Sequence, residues 1–219
     1  MPPKAKFTRE EIIEAALKLV RAGGLQAVTA RELAAELGCS ARPIFTAFKN
    51  MEELQYELIE AAQRVYEQYY LEGMKMFPAF KGIGMQYIRF AIEEPMLFKI
   101  MLSNVKQKHV EYNDILPIID YHYDECIKTI QQQFSLTAEQ ATELYRNLWT
   151  YTHGIASMCS EHIYEFEAEK AAAMLGNACR CFLAGLRMQQ DTRTDIVPSE
   201  MDQKDIPVDF FTKGRKFGE

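Results

Sequence analysis

The sequence from Thr29 to Phe48 reads TARELAAELGCSARPIFTAF, and it predicts two short helices joined by a tight turn. Thr29 is placed to cap the first helix, because its hydroxyl can accept a hydrogen bond from an unpaired N–H of the first turn. Gly38 supplies the backbone freedom that a tight turn needs. Ser40 is predicted to cap the second helix, and Pro43 lies in its first turn, where a missing N–H costs nothing. This pattern is typical of a helix-turn-helix motif, whose second helix fits the major groove of DNA.

Helical spacing of apolar residues continues on both sides of the motif, and no long stretch alternates with period two. We therefore predict an all-α protein. Thr8 and Glu11 form a capping-box pattern that begins a helix ending at Gly23 and Gly24. Further helices are predicted over residues 51–74, 84–93, 115–134, 137–162 and 168–188, with a short helix starting at Pro95 and a loop over 105–114.

Pro78, Gly82 and Gly84 interrupt the helical pattern and place a change of domain near or within the helix predicted over 51–74. We expect three segments. A helix-turn-helix head covers residues 1–55, a helical body for ligand binding and dimerisation covers 56–188, and a polar, irregular tail covers 189–219.

Composition and charge limit the class of protein. Hydrophobic residues make up 48% of the chain, which is ample for a core and incompatible with global disorder. The five cysteines are an odd, scattered set without a CxxC pair, which favours a reducing compartment. No apolar run approaches the ~20 residues of a membrane span, and no signal peptide is visible, so we expect a cytoplasmic protein that binds no membrane.

The net charge of −6 is unsuitable for a protein that coats nucleic acid. Residues 1–55 contain eight Lys or Arg and seven Asp or Glu, so the head carries +1 and the remainder −7. A nearly neutral head on an acidic body suits a site-specific DNA reader better than a sequence-blind binder.

Residues on the outer side of the motif are the candidates for DNA contact, because hydroxyls and cations hold phosphates and the start of the second helix faces base edges. The alternative is a plain helical hairpin with solvated charges. The candidates are Thr29, Arg31, Ser40, Ala41, Arg42, Pro43, Phe45, Thr46 and Lys49.

About fifty residues, FTREEIIEAALKLV, then GGLQAVTARELAAELGCSARPIFTAFKNMEEL, resemble the DNA-binding domain of TetR/AcrR-family transcriptional regulators. The resemblance implies a homodimeric repressor that binds a pseudo-palindromic operator in double-stranded DNA and releases it when a small inducer binds. It also implies an all-helical body that dimerises through its last two helices. Phe45 stands where the family usually has Tyr, and Met51 where it often has Lys, so Arg31, Arg42 and Lys49 carry more of the predicted contact.

Two stretches of the body resemble a subgroup with WHG-type C-terminal domains: Glu94 to Met101, and Trp149-Thr-Tyr-Thr-His153-Gly154. Trp149 and His153 share a helix face at i, i+4, and Gly154 is predicted to admit a neighbouring helix. The pair is either a core contact, with a hydrogen-bonded histidine, or part of a pocket for an apolar or amphipathic inducer. The predicted ligand residues are Phe90, Phe98, Met101, Tyr121, Phe134, Trp149 and His153.

The last helix carries a wide apolar stripe with small residues, which is either intramolecular core or half of a four-helix dimer interface. With the resemblance, we expect the interface. Its predicted residues are Leu144, Leu148, Ile155, Met174, Ala178, Phe182 and Leu186.

No sequence pattern supports catalysis, a cofactor or a metal. The chain has no GxSxG, Walker or GxGxxG motif, and Cys179 and Cys181 point apart at i, i+2 on a helix. Residues 120–125 are predicted to form a solvated helix face; the alternative is a cation held by Asp120 and Asp124, which are i, i+4. The alternative function is an all-helical small-molecule-binding protein or enzyme with a vestigial DNA-binding head.

Overall fold

The computed structural model describes residues 7–102, 116–165 and 167–190, apart from the side chains of residues 118, 119, 189 and 190. The basic N-terminal arm, the loop predicted over 105–114 and the tail beyond 190 lie outside these residues. All regular structure in the described residues is helical, which confirms the all-α prediction. The helices are α1 (Arg9–Gly23), α2 (Ala30–Glu36), α3 (Arg42–Ala47), α4 (Met51–Met74), α5 (Ala79–Glu93), α6 (Pro95–Met101), α7 (Leu116–Ile119), α8 (Tyr123–Phe134), α9 (Ala138–Ser160) and α10 (Ala168–Gln190).

Capping groups set the starts of the head helices. The Thr8 hydroxyl accepts from the Glu11 N–H at 3.1 Å, while the Thr8 N–H donates to the Glu11 carboxylate at 2.8 Å, so the predicted capping box is present. Thr29 caps α2 by accepting from the Glu32 N–H at 3.2 Å. The predicted cap at Ser40 is wrong, because α3 begins one residue further along and Ala41 occupies its N-cap position without a side-chain bond.

Apolar side chains from α1, α2, α3 and α4 meet in the core of the head. Leu33 and Ile44, from the two helices of the motif, are completely buried against α1 and α4. The turn between α2 and α3 contains Gly38 at φ +62°, a left-handed conformation that glycine adopts at no steric cost. Packing against α1 and α4 therefore fixes the positions of α2 and α3 and leaves their other side exposed. The other members of this core are Ile12, Ala16, Val20, Phe48, Leu54 and Leu58.

Gly82 and Gly84 lie inside α5 and do not interrupt it, so the predicted start of this helix at residue 84 is wrong by five residues. Gly82 is needed because α4 crosses α5 there at very short range. A Cβ atom on Gly82 would overlap the Gly73 carbonyl, and one on Gly73 would lie 2.7 Å from the Ile83 nitrogen. Tertiary packing explains these glycines, and their position in sequence alone did not reveal it.

The helix predicted over 115–134 is two helices separated by a turn at Asp120 to His122. The Asp120 carboxylate accepts from the His122 N–H at 2.9 Å, a local bond that competes with continuing the helix. After this turn, the capping box of Thr137 and Gln140 begins α9 as predicted. That helix ends at Ser160, two residues before the predicted end, because His162 has a positive φ of 54°.

By its internal contacts the chain divides into two compact units, Met1–Phe182 and Leu183–Glu219. The predicted head and nearly all of the predicted body fall in the first unit, so the boundary after residue 55 stays a prediction. Among the helices of the described residues, none has both the length and the apolar character needed to cross a membrane.

Candidate nucleic-acid interface and ligand site

Most of the nine predicted DNA-contacting residues lie on the outer side of the helix-turn-helix motif, whereas Ala41 packs against the core. All are exposed except Ala41 and Pro43, which are half-buried. Thr29 accepts the capping hydrogen bond at its oxygen, so its hydroxyl proton is still available to a phosphate. The Thr46 hydroxyl instead donates to the Arg42 carbonyl at 3.0 Å and can only accept from a further partner. The Phe45 ring is 50% exposed on α3, a large apolar surface directed away from the core.

Several cations of the head are bound within the protein. Arg9 donates to the Ala47 carbonyl at 2.6 Å and to Glu53 at 2.8 Å, and it also pairs with Glu57. Hydrogen bonds to Glu57, the larger cause, and to Glu53 raise the pKa of Arg9. Its guanidinium lies 4.3 Å from the centre of the Phe48 ring. Arg9 therefore fastens α1 to the end of α3 and the start of α4.

Arg31, Arg42 and Lys49 differ from those cations. None of the three forms a salt bridge with any residue between 7 and 102, 116 and 165, or 167 and 190, and all three are exposed. Lys18, by contrast, lies 3.4 Å from Glu36. The uncompensated positive charge of the described head is thus concentrated around α2 and α3.

A second ion pair joins the head to the body. Arg21, near the end of α1, donates from Nε to the two Glu94 oxygens at 3.1 and 2.8 Å and from Nη2 to Oε1 at 2.9 Å. The hydrogen bond to Glu94 raises the pKa of Arg21. Glu94 occupies the junction between α5 and α6, since it is the C-cap of the first and the N-cap of the second. The start of α6 is therefore tied to the DNA-binding head.

Four of the predicted ligand residues come together in an aromatic cluster of the body: Phe90, Phe98, Trp149 and His153. The Trp149 and His153 rings are stacked 4.9 Å apart, and Phe98 stacks on His153 at 5.5 Å. Phe90 meets Phe98 at 6.3 Å. The Trp149–His153 contact follows from the prediction that the two residues share one face of a helix.

Tyr87 is the member of this aromatic cluster that sequence reasoning missed. Its Oη lies 3.0 Å from His153 Nδ1, and its ring meets Phe98 at 5.5 Å. Burial lowers the pKa of His153, so the imidazole is neutral near pH 7 and is joined to the Tyr87 phenol by one hydrogen bond, whose donor is set by the imidazole tautomer. The signal available in sequence was the i, i+3 spacing of Tyr87 and Phe90 on one helix.

The structure does not bring the other three predicted ligand residues into the aromatic cluster by ring contacts. Met101 is buried at the end of α6. Tyr121 is 87% exposed beside α8, and Phe134 is half-buried at the C-terminal end of that helix. The sequence could not distinguish these three residues from the four in the aromatic cluster, because both groups are mostly large apolar or aromatic residues on predicted helices.

The predicted dimer residues fall into two groups, one buried and one half-buried. Leu144, Leu148 and Ile155 are buried within the protomer, so their side chains are not available to a second copy. On α10, Met174, Ala178 and Phe182 are half-buried; in the second compact unit Leu186 is buried. Gly154 does not face a neighbouring helix, because a Cβ there would meet no described atom within 4 Å. It is exposed on the outer face of α9 with Thr150 and Met158.

Metal ligands do not gather in the part of the chain that the structure describes, where no three His, Cys, Asp or Glu side chains could hold an ion together. Cys179 is half-buried and burial raises its pKa, while Cys181 is exposed. Of residues 120–125, Tyr121, Asp124 and Glu125 are exposed, as predicted for a solvated face. Asp120 differs, because it is half-buried and accepts a hydrogen bond from the Tyr145 hydroxyl.

A helix-turn-helix head on an all-helical body defines the class as helix-turn-helix regulators. Residues 12–58 match the family of bacterial regulatory proteins described as the tetR family. The head of the chain is therefore similar to the DNA-binding part of this family, and the described helices have the fold of the solved TetR-family structures below. A search of curated proteins finds no match.

Solved structures support the fold over most of the chain. A TetR-like transcriptional regulator from Rhodococcus sp. RHA1 is 16% identical, with a TM-score of 0.61, over 84% of this chain and 100% of that one. A TetR variant from Acinetobacter baumannii AYE, in complex with minocycline, is 15% identical, with a TM-score of 0.54, over 84% and 99%. AibR, in complex with isovaleryl coenzyme A and operator DNA, is 13% identical, with a TM-score of 0.53, over 77% and 96%.

Proposed function

We propose that this protein is a transcriptional repressor that binds a pseudo-palindromic operator as a homodimer and releases it when a small molecule enters the body. One observation carries the DNA-binding part of this proposal. Arg31, Arg42 and Lys49, on or beside the helix-turn-helix motif, are exposed and without a salt bridge to the described residues, whereas Arg9, Lys18 and Arg21 are all paired. Phosphates of DNA are natural partners for such a group of cations.

Two heads are needed because the acidic body gives the protein no general attraction for DNA. Two copies of α3 would lie in successive major grooves, about 34–36 Å apart. The outer face of α9, with Thr150, Gly154 and Met158 at four-residue spacing, is open to a second copy. The half-buried residues Met174 and Ala178 of α10 would complete that interface. We thus keep α9 and α10 as the dimer helices but assign a different face of α9.

The ligand-responsive part rests on α6, which contacts both regions. Phe98 of α6 stacks on His153 in the aromatic cluster, and Glu94, four residues earlier, binds Arg21 of the head. A ligand that displaces Phe98 would shift α6 and change the position of α1. It can release the operator only if it binds more tightly to the protein with the non-binding head position. Similar proteins have been crystallised with minocycline and with isovaleryl coenzyme A.

The test is fluorescence anisotropy with labelled DNA from upstream of the protein's own gene, titrated at several salt concentrations. Arg42→Ala should weaken binding by about tenfold or more, and should reduce the salt slope by about one if Arg42 contacts a phosphate. Arg64→Ala, an exposed cation on α4, is the matched control and should change neither value.

An Arg42→Ala variant with the affinity and salt slope of the wild type would remove this residue from the interface. Complete absence of saturable binding by the wild type would contradict DNA binding at this fragment, and would favour the alternative of a small-molecule-binding protein with a vestigial head.

A further inference from the structure

We propose that the groove between α5 and the first turns of α10 is a second ligand site, which takes an amphipathic organic monoanion. The anionic group would lie above Gly176 of α10, between the side chains of Lys81 and Arg180, and the apolar part would lie along the groove. This site shares no residue with the aromatic cluster. It goes beyond the proposed function, because neither operator binding nor release depends on it.

The groove is an open cavity of about 360 Å³, where the turn after α4 and the start of α5 meet the start of α10. Small-molecule pockets in proteins have volumes of roughly 300–1,000 Å³. Phe77 is 99% exposed in this groove, although a side chain of its size and character normally leaves water. Ala168 and Ala172, at four-residue spacing on one face of α10, leave the space open. The apolar lining residues are Met76, Phe77, Pro78, Met85, Ala168 and Ala172.

Gly176 continues this face of α10 by one turn, and two cations from different helices converge above it. A Cβ atom at Gly176 would lie 3.6 Å from Arg180 Nη1 and 4.0 Å from Lys81 Nζ, so the two nitrogens flank the same space. Lys81 also lines the groove. The cationic end is therefore continuous with the apolar part.

Within the described residues, no carboxylate forms a salt bridge with Lys81 or Arg180. Arg180 donates from Nη2 to the neutral Asn177 side chain, which leaves Nη1 for another acceptor. Glu169 also lines the groove, but it precedes Gly176 by seven residues, about 10 Å along the helix axis. Its charge repels an anion from that end and so favours binding with the anionic group above Gly176.

The combination of an apolar groove with two cations at one end is complementary to a carboxylate or sulfonate that carries an apolar chain or ring. Guanidinium and ammonium groups bind such anions through charge-assisted hydrogen bonds. A polyanion is disfavoured, because residues 56–219 carry a net charge of −7. The ligand class is therefore a small amphipathic monoanion.

The experiment compares two fluorescent probes, anilinonaphthalene sulfonate and phenylnaphthylamine, which share one aromatic frame and differ by the sulfonate. Lys81→Gln and Arg180→Gln should each weaken binding of the sulfonate by about fivefold, as expected for one exposed ion pair, and should leave the neutral probe nearly unchanged. Both residues are exposed, so the variants should fold. Lys128→Gln, an exposed cation on α8, is the matched control and should change neither affinity.

A second pair of variants tests the position of the anion. Gly176→Asp places a carboxylate between the two cations and should bind the sulfonate at least fivefold more weakly than Gly176→Asn, which has the same shape without the charge. Equal affinity of these two variants for the sulfonate would overturn the inference. So would unchanged affinity in both Lys81→Gln and Arg180→Gln, or no saturable binding of the sulfonate by the wild type, as expected if a second copy covers the groove. Operator binding is measured without any probe, so the two proposals fail separately.

Discussion

The head and the body place their polar groups in opposite ways. In the head, the core is apolar, and the cations that are not paired are exposed around α2 and α3. In the body, Tyr87, His153 and Asp120 direct polar atoms among aromatic rings. An exposed charged surface suits a polyanion that remains hydrated, whereas polar atoms among rings suit a small molecule that leaves water. The two regions therefore differ in which partner they can recognise.

Two adjacent residues of α3 test whether its inner side supports folding while its outer side binds DNA. Ile44 is completely buried, so Ile44→Ala should lower the free energy of unfolding by about 2–5 kcal/mol, through lost burial and a cavity. Phe45→Ala, on the exposed side, should cost about 0.5 kcal/mol or less but should weaken operator binding. Urea denaturation and anisotropy titration measure the two effects. A Phe45→Ala variant as unstable as Ile44→Ala would show that this ring belongs to the core.

A charge on the outer face of α9 tests whether the body, unlike the head, meets a second copy. Met158 is 37% exposed in the protomer, so Met158→Glu should leave the protomer folded. It should convert the dimer to a monomer and weaken operator binding on the order of 100-fold, because each head then binds alone and loses effective concentration. Light scattering with size-exclusion chromatography reports the change. Glu161, at the end of α9, is already charged, and its replacement by Gln is the control. A dimeric Met158→Glu variant would place the interface elsewhere.

The close crossing of α4 and α5 at Gly73 and Gly82 tests how tightly the helices of the body pack, for comparison with the core of the head. Gly82→Ala should destabilise the protein by about 1–3 kcal/mol, since the added methyl overlaps backbone of α4 that cannot move freely. The methyl of Gly84→Ala, on the same helix, meets side-chain atoms and no backbone, the nearest being the end of Leu175 at 3.2 Å, so this variant should cost less. Thermal denaturation of the two variants gives the difference. Equal stability would mean that the helices are not in this contact in solution.

The bond between Arg21 and Glu94 tests whether the two regions communicate. Arg21→Ala removes an ion pair in which Arg21 is exposed and Glu94 is half-buried, so it should change stability by about 1 kcal/mol or less. It should leave operator affinity nearly unchanged, and should reduce by several-fold the ability of a bound ligand to release the operator. Lys18→Ala, which breaks the ion pair with Glu36 inside the head, is the control. Full ligand response in Arg21→Ala would exclude this bond from the coupling.

The pH dependence of stability should separate His153 from exposed histidines. Burial lowers the folded-state pKa of His153 below the unfolded value of about 6.5, so the neutral form is favoured in the folded protein. The resulting contribution to stability is present above about pH 6.5 and is lost as pH falls through the folded-state pKa. His153→Gln should remove this part of the pH dependence between pH 8 and 5, whereas His162→Gln, at an exposed site, should not. Urea denaturation across this range is the measurement, and identical pH profiles for the wild type and His153→Gln would contradict it.

Local signals in the sequence predicted much of the fold. Thr8, Thr29 and Thr137 cap helices through bonds to residues three positions away, and such bonds depend on neighbouring residues alone. Gly82 and Asp120 were interpreted wrongly because their roles depend on other helices: α4 crosses Gly82, and Tyr145 of α9 binds Asp120. Sequence shows which residues are apolar or charged, but not which element will cover them.

The candidate site was predictable to the same extent. The spacing of Trp149 and His153 on one helix predicted their contact, since i, i+4 residues meet on any helix. Tyr87 was missed because it approaches from a different helix. The burial of Leu144 inside the protomer has the same origin, because its stripe on α9 could equally have faced a second copy.

The central claim is that two copies of α3 read one DNA site through exposed cations, and hydroxyl-radical footprinting of the upstream DNA tests it most directly. The account predicts two protected patches on one face of the duplex, with centres about 10–10.5 base pairs apart. Both patches should weaken together in Arg42→Ala and persist in Arg64→Ala. A single patch, uniform protection of the fragment, or two patches unchanged in Arg42→Ala would contradict the claim.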